Sequence, residues 1–265
     1  RPITKGSFTF DDVKVGDILR VRNNSHSVIV LQKSAGGVIV AEGNYNKSVH
    51  WGRAMSKSEV MAADFIITRY PEGYEPEDNP DDEELAQDGT AGSLNWSLTN
   101  GGVLTISGDG AIPDYSLSTP APWKEYSVNT VILEDGVTGI GDYAFYGSGV
   151  LSIYIPDGVE RIGNNAFERA ALLSVSIPGS VSDIGAYAFH ECPNLTSVTV
   201  SEGIETIGEE AFRGCTSLAY IDFPASITSV GIGAFMSCEK MTRVRFMPGT
   251  GTVTLRDNLF SQCWN

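Results

Sequence analysis

Phenylalanine recurs at positions 145, 167, 189, 212, 235 and 260, at intervals of 22, 22, 23, 23 and 25 residues. A fixed period of this length is the signature of a solenoid, in which each repeat is one turn of chain stacked on the next. The surroundings of each Phe repeat as well. Ala144, Ala166, Ala188, Ala211 and Ala234 precede the first five, and an Ile-Gly or Val-Gly pair stands four or five residues earlier, at Ile140, Ile162, Ile184, Ile207 and Val230. Ahead of each of the five pairs lies a short alternating run, 128–133, 150–155, 172–177, 195–200 and 218–223, and a sixth, 241–246, lies ahead of Phe260. Period-two alternation of aliphatic residues indicates a half-buried strand. Pro156, Pro178, Pro224 and Pro248 come after four of these runs, where a residue with no N–H to donate ends a ladder. One coil is therefore expected to be strand, turn, Ile-Gly bend and a short helical Ala-Phe segment on the return side. A single coil cannot bury its own apolar face, so its stability must come from its neighbours.

Cys192, Cys215, Cys238 and Cys263 each lie three residues after a repeat Phe, in a slot that holds Ser148 and Ala170 in the first two coils. A slot that accepts Ser, Ala or Cys calls for a small buried side chain. Zinc or disulfide chemistry is the competing reading, but metal sites use closely spaced Cys pairs, and intervals of 23 to 25 supply none. No metal or other cofactor is expected.

Units such as Ile155-Pro-Asp-Gly-Val-Glu-Arg-Ile-Gly-Asn-Asn-Ala-Phe167 resemble the BspA-type leucine-rich repeats of bacterial surface proteins. The resemblance runs from about Val128 to Asn265. It implies an extracellular or cell-surface protein that adheres to a partner, without saying which, since function belongs to the site and not to the fold. With the strands on the concave face, the outward positions form two columns. Thr130, Ser152, Ser174, Ser197, Tyr220 and Arg243 make one; Ile132, Tyr154, Ser176, Thr199, Asp222 and Arg245 make the other. Tyr and Arg are the usual anchors of protein interfaces. Tyr154, Tyr220, Asp222, Arg243 and Arg245 are accordingly the candidate ligand-binding residues for a protein or glycan, with peptidoglycan one candidate; ordinary solvated surface is the competing reading.

Upstream of the repeats, Leu94–Thr99 and Val103–Ser107 alternate around Asn100-Gly101-Gly102, a strong hairpin signal. This hairpin, with Trp96 and then Trp123, is read as a cap over the apolar end of the array. A sugar-stacking platform of the two tryptophans competes with their burial. Nine acidic residues and no Lys or Arg fall between Pro71 and Asp88. That stretch repels itself and reads as a solvated linker, and it lacks the spacing of a calcium loop. The net charge of −15 excludes nucleic acid as a natural partner, and no apolar run is long enough to span a membrane.

Residues 1–70 have another pattern. Ile18–Val21, Ser27–Leu31, Gly37–Ala41 and Phe65–Thr68 read as strands of a small antiparallel domain, with a helical turn near Val60–Ala63. Val15-Gly-Asp-Ile18, Ser25-His26-Ser-Val-Ile-Val-Leu31 and Val40-Ala-Glu-Gly-Asn-Tyr-Asn46 resemble part of a CHAP-type amidohydrolase or peptidase, a papain-related family of cell-wall hydrolases. The resemblance implies His26 as base towards a Cys nucleophile, Glu42 as the group that orients the imidazole and Asn44 as a further polar partner; a locally bonded strand-end histidine is the alternative. The first cysteine of the chain is Cys192, so the chain as it stands is expected to be inactive as an enzyme, either because the helix that would carry the nucleophile lies upstream of Arg1 or because the domain is a degenerate relic.

The expected organisation is 1–70 partial CHAP-like subdomain, 71–90 acidic linker, 91–127 hairpin cap and 128–265 solenoid, an α+β but mostly β fold. Its expected function is that of a binding or adhesion module, the alternative being a cell-wall hydrolase targeted by its repeats; a plain structural spacer is a third possibility.

Overall fold

The computed structural model describes residues 85–249 and 251–263 in full and, of the first 84 residues, the backbone of six strands. These are β1 (Pro2–Thr4), β2 (Ile18–Val21), β3 (His26–Lys33), β4 (Gly37–Gly43), β5 (Val49–Ser56) and β6 (Phe65–Ile67), joined antiparallel in the order β1-β6-β2-β3-β4-β5. The expected strands of this region are present, and β1 and β5 add to them. Val60–Ala63 and most of the acidic stretch lie outside the described residues. At its far end, however, β7 (Leu85–Ala91) is a strand paired with β8 (Leu94–Thr99), so the last residues read as linker already belong to the sheet.

The hairpin of β8 and β9 (Val103–Ser107) forms as its Asn-Gly-Gly turn predicts. It does more than cover the array. β9 pairs in parallel with β11 (Thr130–Leu133), and β10 (Gly110–Ala111) pairs in parallel with β12 (Val137–Ile140). The hairpin's second strand is thus the first rung of the solenoid.

From there two strand columns run along the array. The longer rungs are β11, β13 (Ser152–Tyr154), β15 (Ser174–Ile177), β17 (Ser197–Val200), β19 (Tyr220–Phe223) and β21 (Arg243–Phe246), and they coincide with the alternating runs. The Ile-Gly bends form a second parallel column: after β12 come β14 (Arg161–Ile162), β16 (Asp183–Ile184), β18 (Thr206–Ile207), β20 (Ser229–Val230) and β22 (Thr254–Leu255). Each of Gly163, Gly185, Gly208 and Gly231 donates its N–H to the Ile carbonyl of the coil before, at 2.8 Å.

The return segment is not helical. Two residues per coil carry left-handed φ: the one two before the Phe (Tyr143, Asn165, Tyr187, Glu210, Gly233, Asn258; 50 to 60°) and the one two after it (Gly147, Arg169, Glu191, Gly214, Ser237, Gln262; 51 to 73°). A right-handed helix cannot pass through such residues. Their effect is to turn alternate peptides towards the neighbouring coil. Phe145 N–H donates to Ala166 O and Phe167 N–H to Ala188 O, both at 2.7 Å, and the pattern continues to Phe235 N–H and Leu259 O at 3.0 Å. The turns therefore form a third hydrogen-bonded column, in which bonds between coils take the place of the helix's own.

Inside these columns the Phe rings stack. Centroid separations from Phe145 through Phe167, Phe189, Phe212 and Phe235 to Phe260 are 5.1, 5.2, 5.0, 5.2 and 5.8 Å. These match the spacing of adjacent strands, about 4.8 Å, so each coil adds one ring to a continuous pile. Trp123 heads it, 5.5 Å from Phe145, with its indole N–H on Ala144 O at 2.8 Å, and Trp96 closes it edge-on at 6.3 Å. Both tryptophans are buried, which leaves no platform for a sugar.

The glycines after each Ile are dictated by the same spacing. A Cβ on Gly185 would lie 2.7 Å from Gly163 C, and one on Gly208 or Gly231 2.5 Å from a backbone nitrogen of the coil before. Gly185→Ala should therefore destabilise the array by about 1–3 kcal/mol, the usual cost of overpacking. Gly158→Ala, whose Cβ would meet its nearest neighbour, Val137 O, at an ordinary 3.7 Å, should leave the midpoint of thermal unfolding nearly unchanged. Equal midpoints for the two variants would contradict this account.

Candidate functional site

Strand register brings the two predicted columns into being. Thr130 pairs with Ser152, Ser174 with Ser197 and Tyr220 with Arg243; Ile132 pairs with Tyr154, Ser176 with Thr199 and Asp222 with Arg245. Their exposure is uneven. Thr130, Ile132 and Ser152 are buried rather than outward, and the Thr130 and Ser152 hydroxyls face each other at 3.5 Å. Here strand β5 runs against β13 and β15. Ser197 is also buried. Ser176 and Thr199 are exposed, but the charged side chains of the two columns all lie in the last two rungs.

There Tyr220, Asp222 and Arg243 form one unit. The Arg243 guanidinium lies 4.6 Å from the Tyr220 ring centre, and its Nη2 donates to Asp222 Oδ2 at 3.1 Å. Both partners of that ion pair are part-exposed, so it adds little to stability. Its effect is geometric: stacking and pairing hold a long side chain in one orientation, leaving its other N–H groups free to meet an acceptor. Asp222 Oδ1 is buried without a hydrogen-bond partner. Arg245 is exposed next to Arg243 on the same strand, and Phe246 and Met247 expose apolar surface just beyond. Tyr154 is half-buried and stands three rungs from Asp222 in its column. At about 4.8 Å per rung it is not part of the same cluster.

The residues that the CHAP-type resemblance singles out are placed only as backbone. His26 opens β3 and Glu42 lies in β4, where it pairs with Val28 on one side and His50 on the other; Asn44 lies outside the described residues. None of the chain's cysteines can serve as their nucleophile. All four are free thiols buried in the solenoid. Cys192, Cys215, Cys238 and Cys263 donate to the carbonyls of Phe167, Phe189, Phe212 and Phe235 at 3.0, 3.2, 3.2 and 2.9 Å. The slot is small, as expected, and it also satisfies a carbonyl that spacing alone did not disclose. No group of residues able to hold a metal occurs among the described residues.

His190 is packed on the return side. Its Nδ1 lies 3.3 Å from Glu168 and its Nε2 3.9 Å from Glu210, in adjacent coils, with Tyr187 edge-on at 5.5 Å. The signal was present in the column that comes after each Phe, where Glu168, His190 and Arg213 succeed one another.

The family model for the BspA type leucine rich repeat region matches residues 124–265 in six copies, more than half of the chain. The chain belongs to this family. No curated protein matches it. Among solved structures, a leucine rich repeat protein of T. pallidum is 26% identical with a TM-score of 0.47, the match covering 62% of this chain and 86% of that one. The pneumococcal vaccine antigen PcpA is 17% identical with a TM-score of 0.41 over 63% of this chain and 50% of that chain, so the chain spans half the length of that relative. A leucine rich cell surface protein from Faecalibacterium prausnitzii is 23% identical with a TM-score of 0.37, covering 60% and 54%. In this BspA-type chain, no described helix is long and apolar enough to cross a membrane.

Burial pushes the Cys192 thiol up to about 12 from its ordinary 9.0 and raises Cys215 as well, while the contact between Cys238 and Cys263, ahead of burial, raises Cys238 and lowers Cys263 to about 7. Above pH 9 the unfolded chain ionises Cys192, Cys215 and Cys238 while the folded chain holds these three neutral. Their contribution to stability is full below pH 9 and is lost as pH rises towards 12, at about 1.4 kcal/mol per pH unit for each thiol. Native protein should accordingly leave Cys192, Cys215 and Cys238 unreactive to an aromatic disulfide reagent at pH 8, with Cys263 the one of the four thiols open to it, and release all four on unfolding. Rapid labelling of more than one thiol in the native protein would show that the column is open.

Proposed function

We propose that the chain is a cell-surface or secreted binding module that engages a protein or glycan through the last rungs of its strand face. The observation that carries this reading is the clamped Arg243, fixed by Tyr220 and Asp222 beside exposed Arg245, with Asp222 Oδ1 still lacking a donor. Such a unit has its side-chain ordering largely settled before binding, which lowers the cost of association. The exposed Phe246 and Met247 supply the apolar surface that a binding centre needs around its polar groups. Tyr154 would serve as a separate contact for a ligand long enough to reach along the strand face. The BspA-type repeats, which resemble those of bacterial surface proteins, support this location.

Immobilised host glycoproteins and purified peptidoglycan provide the probes. Whichever the chain captures, Tyr220→Ala combined with Arg243→Ala should weaken capture at least about tenfold, as loss of interface anchors does. Both side chains are on the surface, so the unfolding midpoint should move little. Undiminished capture by the folded double variant would reject the patch.

A further inference from the structure

At the opposite end of the array, the Ser116–Tyr126 segment overhangs the first coil and encloses a cleft of about 150 Å³ with Tyr143–Val150. An apolar cavity of this size accepts a benzene ring. Trp123, Val128, Phe145 and Val150 supply apolar walls, and the lining holds one cation, Lys124, and no carboxylate, in a chain of net charge −15. Lys124 Nζ donates to the carbonyls of Tyr146 and Gly147, which fixes the ammonium and leaves one of its three N–H groups.

The cleft also contains an unsatisfied polar atom. Ser148 occupies the slot that later coils fill with Cys, but its Oγ is buried and reaches no partner, whereas each of the four thiols donates to a Phe carbonyl. In the coil before, the corresponding position, three residues after Trp123, is Tyr126. A tyrosine cannot enter a small slot, and it is turned out to 41% exposure on the rim. Beside it Leu117 is 69% exposed.

We propose that this cleft binds a phenolic side chain presented by an acidic polypeptide segment. The ring enters among the apolar walls, its hydroxyl meets Ser148 Oγ, and a flanking carboxylate takes the remaining N–H of Lys124. A sugar fits poorly, because the lining offers no side-chain carboxylate or amide to fix its hydroxyls. A free phenol would leave Leu117 and Tyr126 uncovered, whereas a polypeptide would cover them. The site is separate from the Tyr220–Arg243 patch, so either can fail without the other.

The test monitors the Trp123 indole N–H by nuclear magnetic resonance in the full chain, with capped peptides Asp-Tyr-Asp, Asp-Phe-Asp and Lys-Tyr-Lys and with free p-cresol. The expected result is a saturable shift, tightest for Asp-Tyr-Asp, with a roughly three- to tenfold preference over Asp-Phe-Asp from one hydrogen bond. Ser148→Ala, the residue the second coil already carries as Ala170, should abolish that preference while the protein stays folded. Lys124→Gln should abolish the preference for acidic flanks. No saturable shift, a phenol preference that survives Ser148→Ala, or equal binding of Lys-Tyr-Lys would overturn the proposal. So would p-cresol binding as tightly as the acidic peptide, which would make the cleft a small-molecule site.

Discussion

Adjacent coils lie one strand spacing apart along the whole array, and that distance selects residues of opposite kinds at different points of the turn. Where two backbones meet after each Ile, there is no room even for a methyl group, and the position is held by Gly163, Gly185, Gly208 and Gly231. Where the chain swings outward around the core, the same spacing is that of two stacked rings, and the Phe pile fills it. The hydrogen bonds of all three columns need that rise as well. Strain from left-handed Tyr143, Asn165, Tyr187 and the equivalent residues is tolerated because each such turn gains bonds to the next coil. Each coil thus has its shape completed by the coils beside it.

This dependence explains why some features could be read from the residues and others could not. The longer rungs, the Ile-Gly bends and the small slot repeat in the chain, so periodicity exposes them. The helical reading of the Ala-Phe segment failed because bonds between coils replace those within a helix, and nothing in Ala-Phe alone announces a left-handed neighbour. Tyr, Asn, Glu and Gly all fill that position two before the Phe. Trp123 was legible in principle: it stands 22 residues before Phe145, one period upstream. A search for Phe passes over it, although the stack accepts any flat ring.

The candidate surface was legible by position and less so by exposure. Alternation identifies which residues of a rung leave the core, and the register confirms that Tyr220 faces Arg243 and Asp222 faces Arg245. It cannot tell that Thr130, Ile132 and Ser152 are buried; for Ser152, on β13, the strand that runs against it, β5, lies far away in sequence. Nor does it predict that Arg243 stacks on Tyr220 while pairing with Asp222. That geometry arises because parallel rungs place every residue beside its counterpart one period away, so a charge on one coil finds its partner on the next.

The same stacking separates the side chains that build the solenoid from those left for recognition. A coil must supply its ring, its glycine and its small slot, since each is fixed by contact with two neighbours. Outward positions are not bound by those contacts, and there the repeats diverge from Ser and Thr to Tyr, Asp and Arg. At the first coil, a change in one of the fixed positions has a visible structural effect. Tyr126 cannot occupy the small slot, Ser148 is left without the carbonyl contact its counterparts make, and space opens beside Trp123. Such space is costly in the middle of an array, where two coils would lose packing. At the start, the hairpin carries the load of closing the core, and the cleft persists without interrupting the columns beyond it.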